Sequence, residues 1–229
     1  MRRRDLLRSG AVATAGLGLG LIATGPASAA TPRRHPLRVH TVLFDEVEEQ
    51  DFAGPVEVFG IIGAEQSFVT ADGPRTVTTA SGIELVVRTP WSPRSADIIV
   101  VPGAGYGPGS GIDEQIRRGV LPKALAAARR PGLVLSSVCT GTMLLSAAGL
   151  TAGRPCTTHH VAKEDLRAQG GKVVSGRVVD DGDLVTSGGV TSGIDLGVWL
   201  VERFHGAEAA LSVETVLEYE RRGTVWRSS

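Results

Sequence analysis

The chain has few aromatic residues and no excess of charge of either sign. Phe, Trp and Tyr together make up 4% of the 229 residues, and 24 Lys and Arg balance 24 Asp and Glu. No run of basic side chains occurs after Arg34. Nucleic-acid binding needs a basic surface to neutralise phosphates, and binding of single strands also needs aromatic stacking platforms. The composition therefore gives no support to nucleic-acid binding.

Cysteine is also scarce, since Cys139 and Cys156 are the only two in the chain. No His and Cys residues have the spacing that is typical of a zinc site, so we expect neither a metal nor another cofactor. A disulfide between the two cysteines is not expected, because a domain of this size does not need a covalent staple.

The first thirty residues have the features of a bacterial export signal. Arg3 and Arg4 form a twin-arginine pattern, residues 11–24 are apolar and rich in Gly and Ala, and residues 27–30 supply small side chains for a signal peptidase. The apolar stretch is too short and too rich in glycine to favour a membrane span. We therefore expect export by the twin-arginine (Tat) machinery to the periplasm or the cell exterior, without a stable membrane anchor.

The rest of the chain is long enough for one domain with a sizeable core. We expect a short lead over residues 31–36 and a single domain over residues 37–229. Loss of residues 1–30 removes four arginines and one aspartate, which leaves 20 basic and 23 acidic side chains and a net charge of −3.

Short apolar strands alternate with helical segments along this domain. Strands are predicted at 37–44, 67–70, 76–80, 83–88, 97–101, 133–135, 156–158, near 173 and 178, and last at 184–186. Helices are predicted at 51–63, 121–129, 143–148, 161–169, 194–204 and 207–219. This alternation predicts an α/β fold with a mostly parallel sheet covered on both faces.

Four segments that follow strands contain candidate functional residues: Asp51, the loop at Gly103, Cys139 and the loop at Gly188. Ligands bind at the carboxyl ends of the strands in parallel sheets. The four segments are therefore predicted to meet at one edge of the sheet and to form an active site there.

Cys139 lies between a predicted strand and a predicted helix, with the small residues Ser137 and Gly141 two positions away on either side. This pattern predicts a nucleophile elbow, a sharp turn that exposes a nucleophile at the end of the sheet. The first N–H groups of the helix and its dipole are expected to favour the thiolate. The local pattern leaves a second interpretation open, in which Cys139 is only a small buried hydrophobe.

Several segments in order resemble the ThiJ/PfpI superfamily of class I glutamine amidotransferase-like proteins. They are VLFDEVEEQDFAGPVEVFG, VVPGAG, SSVCTGTMLLSAAGLTAGRPCTTHH and TSGGVTSGIDLGVWLVE, and the resemblance spans roughly residues 37–205. The resemblance implies a flavodoxin-like three-layer sandwich, usually a homodimer, with the cysteine at the elbow.

Two of these segments resemble particular branches of the superfamily. The peptidase branch is expected to have His after the cysteine, where this chain has Thr140. The Asp-Phe-Ala-Gly-Pro and Cys-Thr-Gly segments resemble the isonitrile hydratase branch and also the sensor domain of some AraC-type regulators. The chain ends soon after its last predicted helix, so we expect no helix-turn-helix pair.

Resemblance to the hydratase branch implies addition of water to an isonitrile, a small-molecule substrate, to give an N-substituted formamide. Cys139 is then the expected nucleophile, and Asp51 the general acid and later the general base. Thr140 is expected to orient substrate or water, or to contribute its N–H. Substrate binding and stabilisation of developing charge are expected from Gly103, the N–H of Ala104, and His159.

The residues alone leave simpler roles open for most of this set. Asp51 has the right type and position for a helix N-cap, and Thr140 for an ordinary residue of a first helical turn. Gly103 is consistent with a tight turn alone, and His159 with a solvated loop. Asp195 is expected to cap the long helix that follows the Gly188 loop.

Two other classes of function stay open. One is a glyoxalase- or deglycase-like enzyme acting on reactive carbonyls, which would favour Glu at position 51 and a histidine close to the sulfur. The other is a non-catalytic protein that binds a ligand or senses redox state, in which Cys139 is oxidised rather than turned over.

Overall fold

The computed structural model describes residues 36–228, so the predicted export signal and nearly all of the predicted lead lie outside the described residues. The strands are β1 (Arg38–Val42), β2 (Glu65–Val69), β3 (Arg75–Thr78), β4 (Glu84–Val87), β5 (Ile98–Val101), β6 (Val134–Ser137), β7 (Pro155–Cys156), β8 (Lys172–Val173), β9 (Val178–Asp181), β10 (Leu184–Ser187) and β11 (Trp226–Arg227). The helices are α1 (Glu49–Ile61), α2 (Gly111–Arg118), α3 (Val120–Ala128), α4 (Gly141–Ala147), α5 (Lys163–Ala168), α6 (Ser192–His205) and α7 (Ala207–Leu217).

Seven strands form the central sheet, in the order β11-β9-β10-β6-β5-β1-β2. The five strands from β10 to β2 run parallel to one another, whereas β9 is antiparallel to β10 and β11 is parallel to β9. The β3-β4 hairpin and the β7-β8 pair lie outside this sheet. The predicted α/β fold with a mostly parallel sheet is confirmed.

Helices cover both faces of the sheet because the central strands are apolar on both sides. In β5, Ile98 and Val100 belong to one core cluster, and Ile99 and Val101 belong to the other. Side chains alternate between the two faces of a strand, so one strand supplies both cores. Helices α1, α6 and α7 pack over the first cluster, and α2, α3 and α4 over the second.

Three local predictions were wrong. Helix α2 was not predicted; it begins after Ser110, whose side chain accepts a hydrogen bond from the N–H of Asp113 and so caps it. Strand 184–186 is not the last of the sheet, because β11 pairs with β9. Helix α1 begins at Glu49 rather than at the predicted residue 51, so Pro55 lies in its second turn.

No helix within residues 36–228 combines the length and the apolar character that crossing a membrane requires.

Candidate active site

Cys139 occupies a strained turn between β6 and α4. Its φ is 58°, in the left-handed region that residues other than glycine rarely adopt. Two other segments hold this backbone: the Cys139 N–H donates to the carbonyl of Gly188 at 3.0 Å, and the Thr158 hydroxyl donates to the Cys139 carbonyl at 2.9 Å. The elbow is therefore fixed by the loops that follow β7 and β10.

Two glycines allow neighbouring segments to approach the elbow closely. A Cβ on Gly141 would lie 2.2 Å from the Val101 carbonyl oxygen, so only glycine fits between the elbow and the end of β5. A Cβ on Gly189 would lie 2.9 Å from Cys139 Sγ and 2.2 Å from His159 Cδ2. The sulfur and the His159 ring thus lie against the same glycine.

Asp51 is fully buried, and its carboxylate reaches out of helix α1 to the loop after β5. Its Oδ2 accepts the N–H of Gly103 at 3.0 Å, while Oδ1 has no hydrogen-bond partner among the described residues. The N-cap position of α1 is Glu48, and no side chain caps that end. The capping role considered for Asp51 is therefore wrong. A buried carboxylate oxygen without a partner calls for an explanation, and a catalytic role is one.

The Asp51 carboxyl and the Cys139 thiol lie close enough to change each other's ionisation. Burial raises the pKa of Asp51 to about 7, although the hydrogen bonds from Gly103 and Cys139 oppose the rise. Burial raises the pKa of Cys139 to about 12, and the negative charge of Asp51 adds to the rise. At neutral pH the pair is a thiol beside a carboxyl group that readily gains or loses a proton.

The expected effect of the helix end on the thiol is present, but it does not set the resting state of Cys139. The N–H of Thr140 does stabilise the thiolate, but burial and the Asp51 charge outweigh it in setting the pKa of Cys139. A thiol of this kind needs a proton acceptor in the step in which its sulfur attacks.

Thr140 links the elbow to the loop after β5. Its hydroxyl donates to the Ala104 carbonyl at 2.7 Å and accepts the Ala104 N–H at 3.0 Å. The Ala104 N–H is therefore already bonded, and so is the Gly103 N–H on Asp51, which corrects the expectation that this loop binds developing charge. A Cβ on Gly103 would lie 2.4 Å from Thr140 Oγ1, so the glycine is required by packing at the site.

His159 lies beside the sulfur rather than in a solvated loop. It is partly buried, and its Nδ1 accepts the N–H of Val161 at 3.4 Å. Burial and the positive charges of His160 and Lys163 lower its pKa, so the ring is neutral at neutral pH.

Sequence reasoning missed Thr158, Gly189 and the polar cavity next to them. The cavity has a volume of about 250 Å³, and its lining includes Thr158, Lys163, Arg177 and Gly189. The repeated glycines of TSGGVTSG were the available signal for a close approach at this point.

Asp195 does not cap helix α6, whose N-cap position is Thr191 without a side-chain cap. Its buried carboxylate instead forms an ion pair with Arg177 at 2.6 Å and accepts bonds from the Tyr219 hydroxyl and the Arg222 N–H. The expected capping role is wrong because tertiary partners bind this carboxylate.

Both cysteines are free, and Cys156 lies in the core as expected. Among residues 36–228 no three or more His, Cys, Asp and Glu side chains form a group that could hold a metal ion.

The fold and the site define a class of protein: a flavodoxin-like α/β sandwich with a cysteine at the elbow and a buried carboxyl group from the first helix beside it. A sequence profile of the DJ-1/PfpI family matches residues 37–203. The chain belongs to this family, which confirms the resemblance to ThiJ/PfpI proteins.

Known proteins similar to the chain include an enzyme and a regulator. Over 184 residues it is 34% identical to isonitrile hydratase of Pseudomonas putida, which covers 80% of this chain and 78% of that protein. It is 30% identical to the HTH-type transcriptional regulator GbdR of Pseudomonas aeruginosa, over 67% of this chain and 41% of the regulator. A ThiJ/PfpI family protein from Pseudomonas syringae has a similar structure, with a TM-score of 0.74, 25% identity, and coverage of 89% of this chain and 84% of that one.

Proposed function

We propose that this protein is an exported, cysteine-dependent enzyme of the isonitrile hydratase type. It adds water to an isonitrile and releases an N-substituted formamide. The observation that carries the proposal is the buried pair of Cys139 and Asp51, in which a nucleophile and a proton carrier lie side by side. The 34% identity to isonitrile hydratase of Pseudomonas putida supports the choice of substrate class.

The first step adds the thiol to the terminal carbon of the isonitrile. Sγ of Cys139 attacks this carbon while Asp51 takes the thiol proton and delivers it to the same carbon. The product is a thioimidate, R–N=CH–S–Cys139. No further reactant is needed, because the sulfur and the proton of the thiol form the new C–S and C–H bonds. The Thr140 N–H stabilises negative charge on sulfur as the proton leaves.

The second step hydrolyses the thioimidate. Asp51, again a base, accepts one proton from a water molecule as the water oxygen attacks the carbon, and then gives this proton to the substrate nitrogen. As the tetrahedral intermediate collapses to the formamide, the C–S bond breaks, and the second proton of the former water passes through Asp51 to the sulfur. A carboxyl group with a pKa of about 7 suits both the acid and the base role near neutral pH.

The remaining site residues have supporting roles in this proposal. The Thr140 hydroxyl holds the elbow against the Ala104 backbone, and the Gly103 N–H orients the carboxylate of Asp51. The neutral His159 ring forms part of the substrate-binding wall beside the sulfur.

The test is turnover of an aliphatic isonitrile by the purified mature protein, measured as formamide. We expect turnover to disappear in Cys139→Ala and Asp51→Asn and to persist in Cys156→Ala, the matched control. Equal activity of Cys139→Ala and the wild type would exclude the mechanism.

One observation favours a second candidate, an enzyme acting on reactive carbonyls, because His159 lies beside the sulfur. Methylglyoxal given to the same preparation distinguishes the two: lactate without formamide would support this candidate. Redox sensing is less well supported. Cysteine is oxidised most readily when it is exposed and ionised, whereas Cys139 is buried and its burial raises the pKa of the thiol.

Export and a homodimeric state are part of the same proposal. The twin-arginine pattern supports export, and a double Arg3→Lys, Arg4→Lys variant is expected to leave the uncleaved protein in the cytoplasm. The resemblance supports the dimer, which light scattering of the purified protein tests.

A further inference from the structure

The polar cavity lies next to the proposed reaction centre. Its walls include Gly189, against which Cys139 Sγ packs, and Thr158, whose hydroxyl bonds the Cys139 carbonyl. His159 lines the same cavity. The cavity therefore adjoins the residues that pack against Cys139 and bind its backbone.

The titratable side chains that line this cavity are all basic. Lys163, Arg177 and two histidines contribute to its walls, and no Asp or Glu does so. The charge of Arg177 is compensated by the buried Asp195. Lys163 forms no ion pair with any carboxylate in the part of the chain that the structure describes. Its neighbour Glu164 pairs with Arg167 instead. The cavity therefore has one uncompensated positive charge.

The backbone adds to this positive potential. Ser192, the first residue of the fourteen-residue helix α6, also lines the cavity, so the positive end of the helix dipole lies at its wall. The carboxylate of Asp51 lies on the other side of Cys139, next to the loop after β5. The site is thus basic on the side of the cavity and acidic on the side of the proton carrier.

We propose that this cavity is a subsite for a carboxylate on the substrate, with Lys163 as its counter-ion. This inference rests on the proposed hydratase function and narrows its substrate class to isonitriles that carry an acid group. The cavity has a volume of about 250 Å³, which is room for a carboxylate and a short carbon chain.

Kinetics with a matched pair of substrates test the subsite. Isocyanoacetate carries the carboxylate, and isocyanoacetamide is its neutral counterpart. In Lys163→Gln we expect the KM for isocyanoacetate to rise about fivefold, the effect of losing one partly solvated ion pair, with kcat unchanged. The KM for the amide should not change, Lys163→Arg should retain the wild-type preference, and Lys123→Gln on helix α3 is the control for a remote loss of charge. An equal change in KM for both substrates would overturn the inference.

A second measurement does not depend on hydratase activity. Cys139 is alkylated with iodoacetate, which is anionic, and with iodoacetamide, which is neutral, and the modified peptide is quantified by mass spectrometry. The ratio of the two rates is expected to fall about fivefold in Lys163→Gln and to stay unchanged in Lys123→Gln. If no isonitrile is turned over but the ratio falls, the anion subsite stands and the hydratase proposal fails. If isonitriles are turned over and the ratio does not change, the subsite inference fails alone.

Discussion

The two cysteines of this protein are nearly equal in burial and differ in almost everything around them. Cys139 is 6% exposed and Cys156 is 0% exposed, and burial raises the pKa of the first thiol to about 12 and of the second to about 11. Neither thiol is therefore acidic at rest. Cys139 differs in its strained backbone, in the buried carboxyl of Asp51 beside it, and in the cavity beyond Gly189.

The surroundings of Cys156 are those of a core residue. It ends the two-residue strand β7, and a Cβ on Gly171 would lie 2.9 Å from its sulfur. The positive charge of Arg154 lowers the pKa of Cys156 but does not overcome burial. The comparison indicates that a proton acceptor beside the sulfur, rather than an acidic thiol, distinguishes the candidate nucleophile from the structural cysteine.

Removal of this proton acceptor is the sharpest test of the comparison. Asp51→Asn keeps the shape of the side chain but cannot accept the thiol proton, so we expect kcat for isonitrile hydration to fall roughly 10²- to 10⁴-fold. Asp181→Asn removes an acid near Cys156 instead and should leave kcat within about twofold of wild type. If kcat of Asp51→Asn fell by less than tenfold, a neighbouring proton acceptor would not be what distinguishes Cys139 from Cys156.

The buried acid should also make stability depend on pH. The pKa of Asp51 is raised from 3.8 to about 7 in the folded protein, so its contribution is fully present below about pH 4 and is lost as pH rises through about 7. Asp51→Asn removes this dependence. We expect the variant to gain about 4 kcal/mol in free energy of unfolding, relative to wild type, between about pH 4 and pH 9.

Urea unfolding of both proteins at a series of pH values measures this difference. Asp181→Asn serves as the control for loss of a carboxylate. A constant difference between Asp51→Asn and wild type across the pH range would show that Asp51 is ionised in the folded state at all these values.

The close packing around Gly141 at the elbow predicts that an added methyl group destabilises the protein more there than at Gly171, beside Cys156. Gly141→Ala places its Cβ 2.2 Å from a backbone oxygen that cannot move freely, so we expect a loss of about 3 kcal/mol in the free energy of unfolding. Gly171→Ala meets the Cys156 sulfur and Leu166 at 2.9 to 3.0 Å and should cost about 1 to 2 kcal/mol. Chemical denaturation measures both, and a larger cost at Gly171 would reverse the expected order.

The smallest predicted effect concerns the peptide group between Cys139 and Thr140. The Thr158 hydroxyl bonds its carbonyl, and its N–H stabilises the thiolate. A hydrogen bond accepted by the carbonyl oxygen of an amide polarises the group and makes its N–H a stronger donor. Thr158→Val should therefore raise the pKa of Cys139 slightly and slow its alkylation about two- to threefold at a given pH, consistent with loss of roughly 0.5 kcal/mol.

Alkylation rates of Cys139 as a function of pH provide the readout for this residue. Thr158→Ser keeps the hydroxyl, so its alkylation rates should have the wild-type dependence on pH. If Thr158 had only a structural role, the rates would not depend on whether the hydroxyl is present. Alkylation of Cys156 should be unchanged in both variants.

Much of the fold was predictable because it follows from local patterns. The buried strand β5 and the elbow at Cys139 both have short-range signatures, namely a continuous apolar run and a small-X-Cys-X-small turn. Helix α2 was missed because its residues are mostly polar and its cap depends on one serine. Strand β11 was missed because two residues are too few for a periodic pattern, and its pairing depends on β9.

Only part of the candidate site was predictable from the sequence, and the hydrogen-bond partners of its residues were not. Cys139, Asp51 and Thr140 were recognisable from motifs, yet the hydrogen bonds of Gly103 and Ala104 were assigned to the substrate when the structure gives them to Asp51 and Thr140. Asp195 was predicted to be a helix cap because aspartate is a favoured capping residue and lies near the start of a helix. Nothing in the sequence indicated that Arg177, distant in the chain, would pair with it.

By itself the sequence determined most of the order of strands and helices, the position of the elbow and the family of the protein, because apolar periodicity and short motifs are local properties. Only the tertiary structure decided the chemical state of the site. The pKa of Asp51 and of Cys139, the buried oxygen without a partner and the basic cavity all depend on burial by segments far apart in the chain, and burial is a property of the packed molecule.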